Sequence, residues 1–205
     1  MPMTITEACG AIVAARAAAG GDAIVVATMS SMFAFDQLQM HEGRMGSVPL
    51  MGGAAGLGLG LALARPDRQV LVVDGDASLL MALGGLVTVS TQAPAKYLHI
   101  LANNGTQFTG GSNLKVPGNQ CVDFPALALA AGYNHARRID SLHDWIAQLP
   151  SLMAMVGPGF VELTITPAPA RFGPAMPQSE VPDRQFSRMG QEAEALSAWL
   201  STSTA

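Results

Sequence analysis

Val70-Leu71-Val72-Val73-Asp74-Gly75-Asp76-Ala77-Ser78 and Tyr97-Leu98-His99-Ile100-Leu101-Ala102-Asn103-Asn104-Gly105-Thr106 decide the fold. Each opens on a short apolar run of strand character and ends in a polar motif, and Asp76 and Asn104 stand 28 positions apart. Between them, Leu79 to Val89 reads as a helix, with apolar residues at 79, 80, 83, 86 and 87. The unit is strand–helix–strand, with polar loops at both carboxyl ends, where open parallel sheets bind ligands. A carboxylate on one loop and an amide on the next suit a hard divalent cation. The small residues after Asp76 let backbone N–H groups at a helix start approach a phosphate. Alone, Asp76 reads as a helix N-cap; Asn104 at this distance favours a ligand site.

Outward from this unit the chain keeps alternating. Thr4-Ile5-Thr6-Glu7 fits a capping box, and residues 5–19 are alanine-rich and helical. Strands are expected at Ala23–Ala27, Gln69–Val73, Tyr97–Ala102, Asn134–Ile139 and Gly159–Thr166. Helices are expected at Ala54–Ala64, Leu79–Ser90, Pro125–Ala131, Ser141–Leu149 and Arg188–Leu200. The glycines of Ala54–Ala64 suit close packing on a sheet. Thr28–Gly46 reads as a polar loop with a short helix near Met32–Met40. Gly105–Gln120 reads as a long polar loop holding four glycines, a length that usually marks function or disorder. Pro167–Pro182 holds five prolines and reads as an extended arm. The expected fold is α/β, a doubly wound parallel sheet with helices on both faces. Residues 1–205 are expected to form one domain, with residues 1–20 an N-terminal helix and 167–205 a C-terminal arm and helix.

Composition narrows the classes. Charged residues make up 13% of the 205, about half the usual share, which points to large subunit interfaces. A net charge of -4 leaves no basic footprint for nucleic acid. Cys9 and Cys121 show no metal spacing and read as reduced thiols in a cytoplasmic protein. No basic region followed by an apolar core opens the chain, so no signal peptide is expected. Met45–Ala64 is 20 residues without a charge, long enough to span a bilayer. However, Pro49 and six glycines interrupt it, so a buried loop and a tightly packed helix are expected instead, with no membrane contact. Gly52–Gly58 is not a Gly-x-Gly-x-x-Gly run after a strand, so no dinucleotide site is expected.

Gly75-Asp76-Ala77 and Asn103-Asn104 together resemble the diphosphate-binding domain of thiamine diphosphate enzymes, whose signature is Gly-Asp-Gly followed by Asn-Asn. The third signature residue here is Ala77, a mild change if ordinary helical angles are required there. The likeness extends over about residues 20–165. Leu50 to Ala64 looks like the segment before the signature in thiamine decarboxylases, where a bulky apolar residue wedges under the bent cofactor. Met51, 25 positions before Asp76, takes that register; ordinary core packing is the other reading of this methionine. Asn104–Asn113 and Asp123–Ala128 look most like phosphonopyruvate and sulfopyruvate decarboxylases. Thr28–Phe33 lacks the arginine those relatives often carry, which speaks against a phosphonate or sulfonate substrate.

The resemblance implies a chemistry. Mg2+ is expected on the Asp76 carboxylate, the Asn104 amide oxygen and the Thr106 backbone carbonyl. Gly75, Asp76, and the N–H groups of Ala77 and Ser78, with Thr28 as a weaker candidate, are expected to bind the diphosphate of thiamine diphosphate. Pro49 and Met51 are expected to meet its pyrimidine through a carbonyl and an N–H. Gln107, Phe108 and Thr109 are expected to border a 2-oxo acid, and His41 is a candidate acid–base group. His99 reads as a core residue, and His135 and His143 as surface or packing residues. The chain has room for the diphosphate domain only, so it looks like the β subunit of a split decarboxylase. The activating glutamate is then expected from a separate pyrimidine-binding α-type subunit, in a homo- or hetero-oligomer. A split carboligase of the acetolactate synthase kind and a non-catalytic module that stabilises a partner are the alternatives. Intact Asp76 and Asn104 speak against the module.

Overall fold

The computed structural model describes residues 3–47, 50–109, 112–169 and 182–202. Its strands are β1 (Ile24–Ala27), β2 (Arg44–Gly46), β3 (Val70–Gly75), β4 (Tyr97–Asn103), β5 (Thr106–Thr109), β6 (Ser112–Lys115), β7 (His135–Ile139) and β8 (Gly159–Thr164). Its α-helices are α1 (Ile5–Ala18), α2 (Met29–Gln37), α3 (Ala54–Ala64), α4 (Asp76–Met81), α5 (Gly85–Gln92), α6 (Phe124–Ala131), α7 (Leu142–Ala154) and α8 (Pro182–Thr202). Six strands form one sheet in the order β2-β1-β3-β4-β8-β7, and every pair in it is parallel.

The inner strands are near-continuous apolar runs because both of their faces are covered. Successive side chains alternate between two layers. Val25, Ala27, Leu71, Val73, Leu98 and Ile100 face α1, α2 and α7, whose Ile12, Phe35 and Trp145 complete that layer. Ile24, Val26, Val70, Val72, Tyr97 and Leu101 face α3, α5 and α6. The expected capping box starts α1, with Thr4 and Glu7 bonding reciprocally. In α3 the close approach is made at Gly58, where a Cβ would overlap the Val72 methyl, while Gly56 and Gly60 meet nothing. Among the described residues no helix is long and apolar enough to cross a membrane. The uncharged run Met45–Ala64 instead enters β2, passes through a loop and becomes α3.

Four expectations are corrected. The helix expected at Leu79–Ser90 is two helices, α4 and α5. The break falls at Ala82–Gly84, where the pair Gly84-Gly85 has little helix propensity, and α4 starts at Asp76 itself. The expected loop Gly105–Gln120 contains a hairpin, β5 paired antiparallel with β6, followed by a 3-10 turn at Asn119–Cys121. Two strand-like quartets around Gly110-Gly111 carry that hairpin signal. Thr28–Gly46 forms α2 earlier than expected and then the edge strand β2. The last helix begins at Pro182 rather than Arg188. Most of the proline-rich arm, residues 170–181, lies outside the described residues.

α8 folds back onto the edge strand. Glu192 accepts from the Gly46 N–H and pairs with Arg44 at 3.1 Å and Arg188 at 2.9 Å. Asp36 in α2 pairs with the same two arginines. Trp199 lies under the guanidinium groups of Arg16 and Arg68, and Leu196 is buried in the α3 layer.

Candidate functional site

From β1 the chain runs outward to β2, then crosses back through α3 to β3 on the other side of β1. The strand order therefore reverses between β1 and β3, and loops leaving their carboxyl ends diverge and open a crevice. A cavity of about 520 Å3 lies there, at the ends of β1, β3 and β4. Thr28, Met51, Gly75, Asp76, Ala77, Ser78, Asn104, Thr106 and Gln107 all line it. The structure thus brings together nine of the residues singled out by sequence. Phe108 lies in β5, but its side chain is outside the described residues, as is the whole of Pro49. His41 is not brought to the cavity. It is exposed and precedes β2, at the amino end of the parallel sheet, opposite the crevice.

Gly75 is extended and forms the N-cap position of α4, which places Asp76 as the first helical residue. Ala77 follows within the helix and needs only ordinary helical angles, so alanine is tolerated where the signature has glycine. The Asp76 carboxylate is 2% exposed. Its Oδ2 accepts from the Gly105 N–H at 2.9 Å and from Asn119 Nδ2 at 2.7 Å. Burial pushes its pKa up to about 6, against the opposing pull of backbone N–H donors at Ala77, Gly105, Asp76 and Asn104. Asn104 Oδ1 accepts from the Thr106 N–H at 2.9 Å and its hydroxyl at 3.2 Å, so β4's end and β5's start are one tight turn.

The Met51 loop is pinned to this helix. Ser78 Oγ accepts from the Gly52 N–H at 2.9 Å. Gly52 has φ +83, and a Cβ there would meet the Ala82 Cβ, so glycine is required on both counts. Met51 is half-buried on the cavity wall, outside both core layers. Thr28 Oγ1 is buried beside the cavity without a hydrogen-bond partner. Two carboxylates, Asp74 and Asp76, and no lysine or arginine are among the described lining residues.

His99 is fully buried, with Nδ1 3.2 Å from the Tyr133 hydroxyl and Nε2 3.4 Å from Asp74 Oδ2. It is the partnered core residue the sequence suggests. His135 is half-buried at the start of β7, and His143 is exposed beside Asp144. Two parts of the site were not legible. Asn119 contacts Asp76 across 43 positions of sequence and sits in a stretch that reads only as polar loop. Ile5, Phe33 and the segment Thr166–Pro169 wall the cavity, with no local pattern to show it.

A crevice at a strand-order reversal, with a buried carboxylate and an amide facing it from adjacent strands, defines a cofactor-binding α/β domain. The family model for the thiamine pyrophosphate enzyme C-terminal TPP binding domain matches residues 18–163, and the chain belongs to that family. A phosphonopyruvate decarboxylase of Streptomyces viridochromogenes is 39% identical over 150 residues, 71% of this chain and 36% of the relative. A sulfopyruvate decarboxylase subunit beta of Methanothermobacter thermautotrophicus is 38% identical over 120 residues, 58% of this chain and 60% of the relative. Among solved structures, a thiamine diphosphate-dependent 4-hydroxybenzoylformate decarboxylase of Rhodococcus jostii RHA1 shares the fold, with a TM-score of 0.63 at 24% identity over 80% of this chain and 33% of that one. The chain is thus homologous to the thiamine pyrophosphate-binding part of phosphonopyruvate and sulfopyruvate decarboxylases, and it spans from about a third to three-fifths of the length of these relatives.

Proposed function

We propose that this chain is the cofactor-anchoring subunit of a thiamine diphosphate- and Mg2+-dependent 2-oxo acid decarboxylase, active with a separate pyrimidine-binding α-type subunit. Residues 1–205 are one such unit in this reading. The observation that carries it is the charge of the cavity: two carboxylates and no basic side chain among its described lining residues. Such a cavity repels a bare diphosphate and accepts it together with a divalent cation. The donor set fits that cation, being a carboxylate, an amide oxygen and a backbone carbonyl. Among the described residues no three His, Cys, Asp or Glu side chains are grouped as an alternative metal site.

In this reading Asp76, Asn104 and the Thr106 carbonyl hold Mg2+. The N–H groups of Ala77 and Ser78, with Gly75 shaping the turn before them, hold the diphosphate. Thr28 Oγ1, buried and unpartnered, donates to the same group. Met51 supports the cofactor from the cavity wall, and its N–H and the Pro49 carbonyl meet the pyrimidine. Gln107 and Phe108 border the substrate. When bound, the cofactor supplies the sink for the electron pair left by departing CO2. Met29 and Phe33 in α2 keep water from the wall and favour loss of charge there. His41 has no role in this chain's own cavity, so the proton that completes turnover comes from the partner subunit or from solvent.

The assembly is a hetero-oligomer of the cytoplasm, where buried Cys9 and exposed Cys121 remain thiols. The test is reconstitution with the pyrimidine-domain partner and a screen of 2-oxo acids for CO2 release. Release is expected only with partner, cofactor and Mg2+ together, and Asp76→Ala should abolish it. Release by the isolated chain at the rate of the complex overturns the split-subunit reading. Undiminished release by Asp76→Ala overturns the metal assignment.

A further inference from the structure

Hydrogen bonds lead from Asp76 away from the cavity through two amides, Asn119, which lies outside the signature, and Asn103, the first asparagine of its Asn-Asn pair. Asn119 Nδ2 donates to Asp76 Oδ2 at 2.7 Å and to Asn103 Oδ1 at 3.0 Å. Asn103 Nδ2 donates to Glu162 Oε1 at 2.7 Å. Glu162 is buried in β8, with Oε2 2.9 Å from Arg138 Nε on the edge strand β7. Three elements distant in sequence, β4, β8 and the 3-10 turn, thus converge behind one oxygen of Asp76.

The polarity of this chain is dictated at its two ends. A carboxylate only accepts. Glu162 therefore requires the NH2 of Asn103, which turns Asn103 Oδ1 towards Asn119. With that oxygen on one side and Asp76 on the other, Asn119 must present its NH2 to both. Both amide hydrogens of Asn119 are then used. Neither amide can flip without setting oxygen against oxygen inside the protein. The ion pair with Arg138 holds the Glu162 carboxylate in place, so the end that sets the order is itself held.

We propose that Asn119, oriented by Asn103 and Glu162, is a positioning residue for the divalent cation, locking the Asp76 carboxylate through Oδ2 in the orientation in which it can ligate. This rests on the cofactor reading above. Without Asn119 the carboxylate keeps backbone donors alone, from its own turn and from Asn104 and Gly105. It then loses the one side-chain donor in that set that is itself fixed by a buried network. Outer partners of metal ligands typically control affinity by about 10- to 100-fold.

The test measures metal binding directly rather than turnover. Free Mn2+ is followed by electron paramagnetic resonance as it is titrated into the full chain reconstituted with its partner subunit, with thiamine diphosphate present and the cofactor without protein as the baseline, and thermal melting is recorded on the same samples. Asn119→Ala is expected to weaken Mn2+ binding about tenfold while still melting cooperatively. Glu162→Gln faces Asn103 with a group that can donate as well as accept, so it no longer dictates the order of the amides and is expected to weaken Mn2+ binding by less than Asn119→Ala does; a loss larger than that of Asn119→Ala overturns the proposal. Wild-type affinity in Asn119→Ala overturns the proposal. So does a loss that only follows the unfolded fraction, because a merely structural asparagine would give that result. If the wild-type chain, reconstituted with its partner, takes up no Mn2+ with thiamine diphosphate, the cofactor reading falls and this proposal falls with it.

Discussion

Asp76 carries opposing demands until a cation meets it. Burial disfavours its charge and raises its pKa to about 6, yet a metal ligand must be ionised. Below that pH a proton competes with the cation. Its affinity is therefore expected to be flat above about pH 7 and to fall about tenfold per pH unit once the carboxyl protonates. Mn2+ titrations from pH 8 to 5 read this directly, and affinity unchanged down to pH 5 would remove Asp76 from the ligand set. Without metal the sign is reversed for the fold: a carboxyl whose pKa rises on folding stabilises when protonated, and that stability is lost as pH rises through about 6. Met51 makes a second residue-level case. Its place on the cavity wall, outside both core layers, means that Met51→Ala should cut turnover of the reconstituted enzyme by roughly 100-fold through misplacement of reacting atoms. The loss of about 2–5 kcal/mol typical of a core methionine should not appear. Normal turnover with a large fall in melting temperature would return Met51 to the core. Asp76 and Asn104 were legible as cavity residues because they follow two apolar strand runs, and Met51 through the family resemblance alone. Asn119 was not, because what defines it is a contact across 43 positions, and no local period records such a contact.

Elements were legible in proportion to how far their own residues determine them. β3 and β4 each open on a mostly apolar run, and α3 was read to the residue. The single helix expected after β3 failed because the apolar spacing from Leu79 to Val87 runs on across Gly84-Gly85, while the backbone there does not. β2 could not be read at all: Arg44-Met45-Gly46 is three residues with no strand pattern. What holds β2 lies largely in α8. Glu192 satisfies the Gly46 N–H and is one of two carboxylates on buried Arg44. Glu192→Ala strands that N–H and leaves Arg44 to Asp36 alone, and should destabilise the chain by about 1.5–3 kcal/mol in urea unfolding, the range for bonds to charged groups. Glu192→Gln keeps an acceptor and should recover part of the loss. Equal stability of the alanine variant and the wild type would mean that α8 does not hold this edge.

At the scale of the whole molecule, the class of fold follows from alternation of strand and helix, while the place of the site follows from order. A sheet running β2-β1-β3-β4-β8-β7 puts Thr28, Asp76 and Asn104 at three neighbouring strand ends, and only the order makes them neighbours. Sparse charge pointed to large interfaces. Leu50, Met81 and Leu114 are exposed, and Leu50 and Leu114 adjoin cavity-lining Met51 and Asn113, on the side where, in the proposed function, a second subunit completes the cofactor pocket. The clasp of α8 on β2 has a meaning in time as well as in space. Gly46 and Glu192 are 146 positions apart. At a synthesis rate of about 5–20 residues per second, β2 leaves the ribosome roughly 7–30 s before the residue that guards it. For that interval the nascent sheet has an open margin, and its first strands depend on whatever meets the emerging chain until the last helix arrives.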